Sequence, residues 1–223
     1  VKTIIVSEVV KMGEDDVRER ILNQAADSIM SYGIKRFTMD ELAEKLGISK
    51  KTIYSIFRSK KDLVEAVIDR EFETIVSEQN RNFPSATTMS EKIIALLYPV
   101  FRTASKISRI TLEELVKYYP EIWRKIDNKR QERIKQMSDL MTREAEMKFL
   151  GTLKPEVVSN FILTSITGFI TPENLTKMGI TPAEAFKTVF TMIISVVIGP
   201  EHAGEFIEKF EQKLLNSNDQ KQN

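Results

Sequence analysis

Apolar residues recur three and four positions apart along almost the whole chain, the signature of helices with one buried face. Val17, Ile21, Leu22, Ala25 and Ile29 form the first such stripe, and Tyr32-Gly33 closes it with a glycine suited to a left-handed C-terminal turn. Thr38-Met39-Asp40-Glu41 sets a Thr-x-x-Glu box at the start of a short helix that ends at Leu46-Gly47. Ser49 is placed to cap a third helix, running through Thr52 and Tyr54 to about Phe57. Ser59-Lys60-Lys61-Asp62 then opens a longer one through Leu63, Val67 and Phe72. Asn82 to Ser90, with Phe83-Pro84 followed by Ser and Thr, reads as a linker.

Beyond it the spacing predicts helices at 90–106, 108–118, 120–149, 155–170, 182–198 and 204–215. The helix at 182 has the strongest start, with Thr181 as N-cap, Pro182 in the first position and Glu184 completing a box. No hairpin pattern and no internal repeat stands out. The expected fold is all-α, with an N-terminal three-helix domain at 15–75, a second helical domain at 76–216 and a polar tail at 217–223.

Composition narrows the chemistry. A chain of 223 residues with 42% hydrophobic and 29% charged residues can bury a sizeable core without staples. The absence of cysteine removes disulfides, thiolate zinc sites and cysteine nucleophiles, and the single histidine, His202, removes multi-histidine metal sites, so no metal or cofactor is expected. No Glu-x-x-His pair, P-loop or convergent triad supports an enzyme. The uncharged runs 157–172 and 188–200 fall short of a membrane span, and Val1 to Val10 lacks the pattern of a secretory leader. A cytoplasmic location is the expectation.

Net charge is +1, so any affinity for nucleic acid has to come from a local patch. Residues 38–57, two capped helices joined by the turn at Leu46-Gly47-Ile48, have the layout of a helix-turn-helix. Leu42, Ala43, Leu46, Ile48, Ile53 and Phe57 form the seam that packs the two helices. From Lys50 to Lys61 the chain carries Lys50, Lys51, Arg58, Lys60 and Lys61 and no acidic residue. Thr52, Tyr54 and Ser55 lie off the apolar seam, and a tyrosine exposed among lysines suits a phosphate ligand. A helical protein–protein adaptor is the alternative, but it leaves the capped basic motif without a role.

These residues resemble a known family. Ile21-Leu22, Ala25-Ala26, Tyr32-Gly33, Phe37-Thr38-Met39, Leu42-Ala43 and the run Leu46 to Tyr54, followed by Phe57 to Leu63, resemble the DNA-binding domain of TetR-family transcriptional regulators. Leu112 to Leu115 and Tyr119 to Trp123 more loosely resemble the second domain of some bacterial members. The resemblance implies a ligand-responsive homodimeric repressor that binds double-stranded DNA and is released by a small effector. It implies that Thr38, Tyr54 and Lys60 hold phosphates while Lys50, Lys51, Thr52 and Ser55 face the groove. Ser49 and Lys61 complete the expected DNA-binding set. Many members carry a small residue where Lys51 stands, which leaves the base preference open.

The remaining helices would then bind the effector and form the dimer. Phe101, Tyr118, Tyr119, Trp123, Met137, Met141 and Phe161 offer aromatic and adaptable apolar surface for an effector. Two helices are apolar most of the way round, which points to burial on more than one side. Phe161, Phe169, Phe186, Phe190, Ile194 and Val197 are the expected two-fold interface.

Overall fold

A computed structural model describes residues 13–145, 154–198 and the positions 204, 207, 208, 210 and 212. Ten helices are delimited among them: α1 (Glu14–Tyr32), α2 (Met39–Leu46), α3 (Lys50–Ile56), α4 (Lys60–Asn82), α5 (Met89–Ala104), α6 (Arg109–Tyr118), α7 (Pro120–Ala145), α8 (Pro155–Phe169), α9 (Pro172–Met178) and α10 (Pro182–Ile198). No strand occurs among the described residues, so the fold is all-α. The chain forms two compact units. The first takes the residues up to Glu73 together with Lys106–Ile126; the second takes Thr74–Ser105 and the described residues from Asp127 onward.

In the first unit, side-chain caps set where the helices begin. Thr38 Oγ1 accepts the Glu41 N–H at 3.2 Å, Ser49 Oγ accepts that of Thr52 at 3.0 Å, and Ser59 Oγ accepts that of Asp62 at 3.1 Å. Glycines set two of the ends. Gly47 ends α2 at φ 65, the left-handed turn that other residues adopt only at a cost. Gly33 ends α1 at φ 94, and a Cβ there would meet a Glu114 carboxylate oxygen at 2.8 Å. Sequence-distant residues finish the same helix end. Thr111 Oγ1 donates to the carbonyls of Ile29 (2.8 Å) and Met30 (3.1 Å), and the Ser108 N–H also reaches Met30 O at 2.9 Å. The Met30 carbonyl is therefore closed by α6 and its cap, while the Ile29 carbonyl, which already accepts the Gly33 N–H at 3.0 Å, gains a second donor. Beneath them Ile21, Ile29, Leu42, Ile53, Leu63, Val64 and Val67 are essentially inaccessible, with Leu115 and Ile122 completing the core.

The second unit is built on aromatic contacts. Phe186 and Phe190 lie 4.6 Å apart, Phe101 packs on Phe186 at 5.9 Å, and Phe210 meets Phe101 edge-on at 5.5 Å. α10 packs against both α8 and α5. Residues 82–90 are not all linker: Thr88 and Glu91 form a full capping box that starts α5 at Met89. The helix α9, absent from the sequence reading, begins with Thr171 as cap and Pro172 and ends at Gly179, with Leu175 wholly buried. The expected helix at 204–215 is described only at the positions given above, all of them helical. No helix among the described residues is long and apolar enough to cross a membrane.

Candidate nucleic-acid interface

The short helix α3 presents its side chains from a base fixed by the apolar seam. Ile53 is fully buried, and Phe57 is nearly so beneath the Arg18 guanidinium, 5.5 Å from the ring. Tyr54 is 45% exposed, and Lys51, Ser55 and Arg58 are also exposed. Neither an ion pair nor a hydrogen bond to the described residues holds Lys51 or Arg58. Ser49 Oγ and Thr52 Oγ1 are 2.8 Å apart, so the two hydroxyls share one proton contact at the helix start. Ser55 Oγ donates back to Thr52 O at 2.8 Å, which leaves its oxygen able to accept. Thr38 and Ser49, each a cap, stand at the N-terminal ends of α2 and α3, where backbone N–H groups favour an anion.

The basic strip looks different in space than in sequence. Lys50 pairs with Asp40 of α2 at 2.5 Å, and that hydrogen bond holds its ammonium above the ordinary lysine range. Lys61 pairs with Glu121 at 2.8 Å, with the same consequence. Lys60 is half-buried; its Nζ donates to the Phe37 carbonyl at 2.5 Å and lies 5.7 Å from the Phe37 ring centre. Burial pulls its pKa down, with Glu114 and Glu41 opposing. Three of the expected phosphate or base ligands are thus engaged by the protein itself. Sequence spacing could not show this, because Asp40, Glu121 and Phe37 reach the lysines through tertiary packing. Arg58, exposed at the end of α3 and outside the expected set, is the missed cation, although its place in the same strip was visible.

The expected effector residues do not gather into one place. Phe101 is packed among Phe186 and Phe210, whereas Phe161 is 47% exposed on α8. Tyr119 and Trp123 pack instead against the core of the first unit, and Tyr118 is 47% exposed under the Lys117 ammonium. The side chains of Met137 and Met141 lie outside the described residues. An open groove in the first unit is bordered by Tyr32, Arg36, Phe37 and Lys45, and none of the seven expected residues lines it.

Of the expected interface, Phe161 and Phe169 are exposed, at 47% and 57%. Phe186 and Phe190 are not: they are 4% and 9% exposed inside the aromatic core, because α10 turns that stripe toward α5. The Ile194 and Val197 side chains lie outside the described residues. Val157 and Met192, exposed at 63% and 64%, are apolar positions that the sequence reading left out of the interface.

Capped helices, a glycine turn and an exposed polar face on the second helix define a helix-turn-helix, DNA-binding protein. Residues 21–67 match the family model of bacterial regulatory proteins of the tetR family. The chain is 26% identical over 188 residues to the uncharacterised HTH-type transcriptional regulator YvaF of Bacillus subtilis, spanning 83% of this chain and 97% of that one. The fold is similar to that of a candidate transcriptional regulator of Saccharomonospora viridis in complex with choline (TM-score 0.63, 19% identity, 82% of this chain and 98% of that one). It is also similar to FadR of Bacillus subtilis in complex with stearoyl-CoA (TM-score 0.52, 16% identity, 81% and 99%). Residues 21–67 carry the DNA-binding domain of TetR-family regulators, and the chain as a whole is similar to HTH-type transcriptional regulators.

Proposed function

We propose that the protein is a homodimeric repressor that leaves its operator when a small effector binds. The observation that carries the DNA side is the exposed face of α3, where Lys51, Tyr54, Ser55 and Arg58 project from a helix fixed by Ile53 and Phe57. Lys51 is the principal base reader, because no carboxylate has to be displaced from it. Tyr54 and the capped start at Thr38 hold backbone phosphates, contacts that orient the protein but carry little sequence information. Lys50 and Lys61 exchange Asp40 and Glu121 for phosphate on binding.

The dimer is supported by the apolar side chains that the second unit leaves in water: Val157, Phe161 and Phe169 on α8 and Met192 on α10. A second copy is their fitting cover, since a two-fold interface buries the same patch twice. The effector is placed in the second helical domain, 76–216, and acts by biasing the separation of two recognition helices. These fit successive major grooves only at about 34–36 Å. The choline and stearoyl-CoA held by the two similar structures favour a small-molecule effector over a protein one. Selection of bound sequences from random DNA by the purified protein, followed by sedimentation of the complex, tests this reading. A palindromic site bound by two copies is expected; retention of no sequence above the non-specific level removes the central claim.

A further inference from the structure

Three partly buried arginines among the described residues are paired with carboxylates. Arg70 meets Glu71 at 3.6 Å, Arg102 meets Glu78 at 2.6 Å and Arg130 meets Asp127 at 2.7 Å. Arg133, partly buried on α7, has no such partner among the described residues. Its Nε donates to Gln79 Oε1 at 2.8 Å, its Nη2 to Asn80 Oδ1 at 2.9 Å and its Nη1 to Gln136 Oε1 at 3.3 Å. All three acceptors are neutral amides, which orient a guanidinium without neutralising it. Burial lowers its pKa, and no neighbouring charge opposes that.

The way it is held is unusual for a surface arginine. Gln79 is wholly buried, and its Nε2 donates to the Leu96 carbonyl of α5 at 2.6 Å. Through it the Arg133 Nε is fastened to the backbone of another helix in the same unit. A guanidinium has five N–H groups; three are used here, leaving one on each terminal nitrogen. That pair is the fork that grips a carboxylate or phosphate. A second polar group of the unit is also unsatisfied: Thr103, 6% exposed and two turns beyond Leu96 on the same face of α5, has no partner for its hydroxyl. An oriented, partly desolvated charge with no counterion is costly as structure and useful as a binding site.

We propose that the effector carries an oxyanion, a carboxylate or a phosphate, and that Arg133, positioned by Gln79 and Asn80, binds it. This rests on the reading of the chain as an effector-responsive regulator. The test uses the full chain, titrated at constant ionic strength with sodium octanoate and separately with inorganic phosphate, while melting temperature and binding heat are followed. Octanoate or phosphate should raise the melting temperature of the wild type and of K135Q, which removes an exposed charge from the same helix. R133Q should bind the active anion at least about tenfold more weakly, and R133K, which keeps the charge but loses the fork, should fall between.

Without anion, R133Q should melt no lower than the wild type; a merely structural arginine predicts a loss. Response to octanoate alone assigns a carboxylate, and response to phosphate alone a phosphate. No response to either anion, or an equal response in R133Q, overturns the proposal. Operator binding is measured in anion-free buffer. Its absence in the wild type would sink the regulator reading, while anion binding lost in R133Q would still establish the site.

Discussion

The two units differ in how completely they close. The first buries an aliphatic core to near zero exposure and completes its helix ends from its own residues. The second buries a ring of aromatic side chains yet leaves Val157, Phe161, Phe169 and Met192 in water, each at least 47% exposed. The first unit also exposes apolar side chains, Ile110 at 52% and Val116 at 37% on α6, but the face of α3 that it presents is built of Lys51, Tyr54, Ser55 and Arg58. On the function proposed above, the polar face of α3 reads DNA and the apolar positions of α8 and α10 associate.

The contrast can be broken most severely in the first unit. Ile53→Ala removes a fully buried side chain from the seam under α3 and should cost about 2–5 kcal/mol, seen as an earlier urea midpoint by circular dichroism. Phe161→Glu should barely change helicity, because the side chain is exposed in the isolated chain. It should nevertheless weaken self-association by about 2 kcal/mol or more, since a carboxylate would face its own copy across a two-fold axis. Phe190→Glu, inside the aromatic core, should unfold instead. Sedimentation paired with circular dichroism tells the two outcomes apart, and an intact dimer in Phe161→Glu would put the interface elsewhere.

Smaller effects sharpen the surface side. Lys51→Ala should alter the preferred operator sequence by about 1–3 kcal/mol of discrimination if it reads a guanine edge. Asp40→Asn should do the reverse of a usual loss: it releases Lys50 and removes a repulsive carboxylate, raising affinity for random DNA by about 0.2–1 kcal/mol in a titration at low salt. The smallest change is a pH effect in the second unit. The Thr87 and Thr88 N–H groups hold Glu91 at about 2, against an ordinary 4.5. A depressed carboxylate contributes stability above its unfolded pKa and loses it as pH falls through the folded one. Glu91→Gln should therefore flatten the decline in stability between pH 4.5 and 2.

The helices with strong terminal chemistry were legible from the chain alone. Thr38, Ser49, Gly47 and the Thr181–Glu184 pair announced their roles, and the structure places each where its side chain or φ requires. The miss at α9 is instructive, because Thr171-Pro172 and Gly179 carry the same signals; seven residues are too few for periodicity to register. The site was less legible. Which lysines belong to the protein and which to a ligand depends on Asp40, Glu121 and the Phe37 carbonyl, none adjacent in sequence to its partner. The orientation of α10 was equally hidden. A helix apolar on several sides does not say which stripe faces inward, and here Phe186 and Phe190 do.

The closing of α1 by α6 bears on how such a chain can be recombined. Ser108 and Thr111 satisfy carbonyls of Ile29 and Met30, and Glu114 accepts the Lys35 N–H at 2.7 Å in the turn that leads into α2. The DNA-reading module is consequently not a contiguous cassette. A graft of residues 15–75 alone onto another protein would arrive with the Met30 carbonyl stripped of its Ser108 and Thr111 donors and without Leu115 and Ile122 in its core. Exchange of reading heads between relatives would have to carry residues 106–126 along, or find a host whose own helix supplies a hydroxyl and a carboxylate at the matching places.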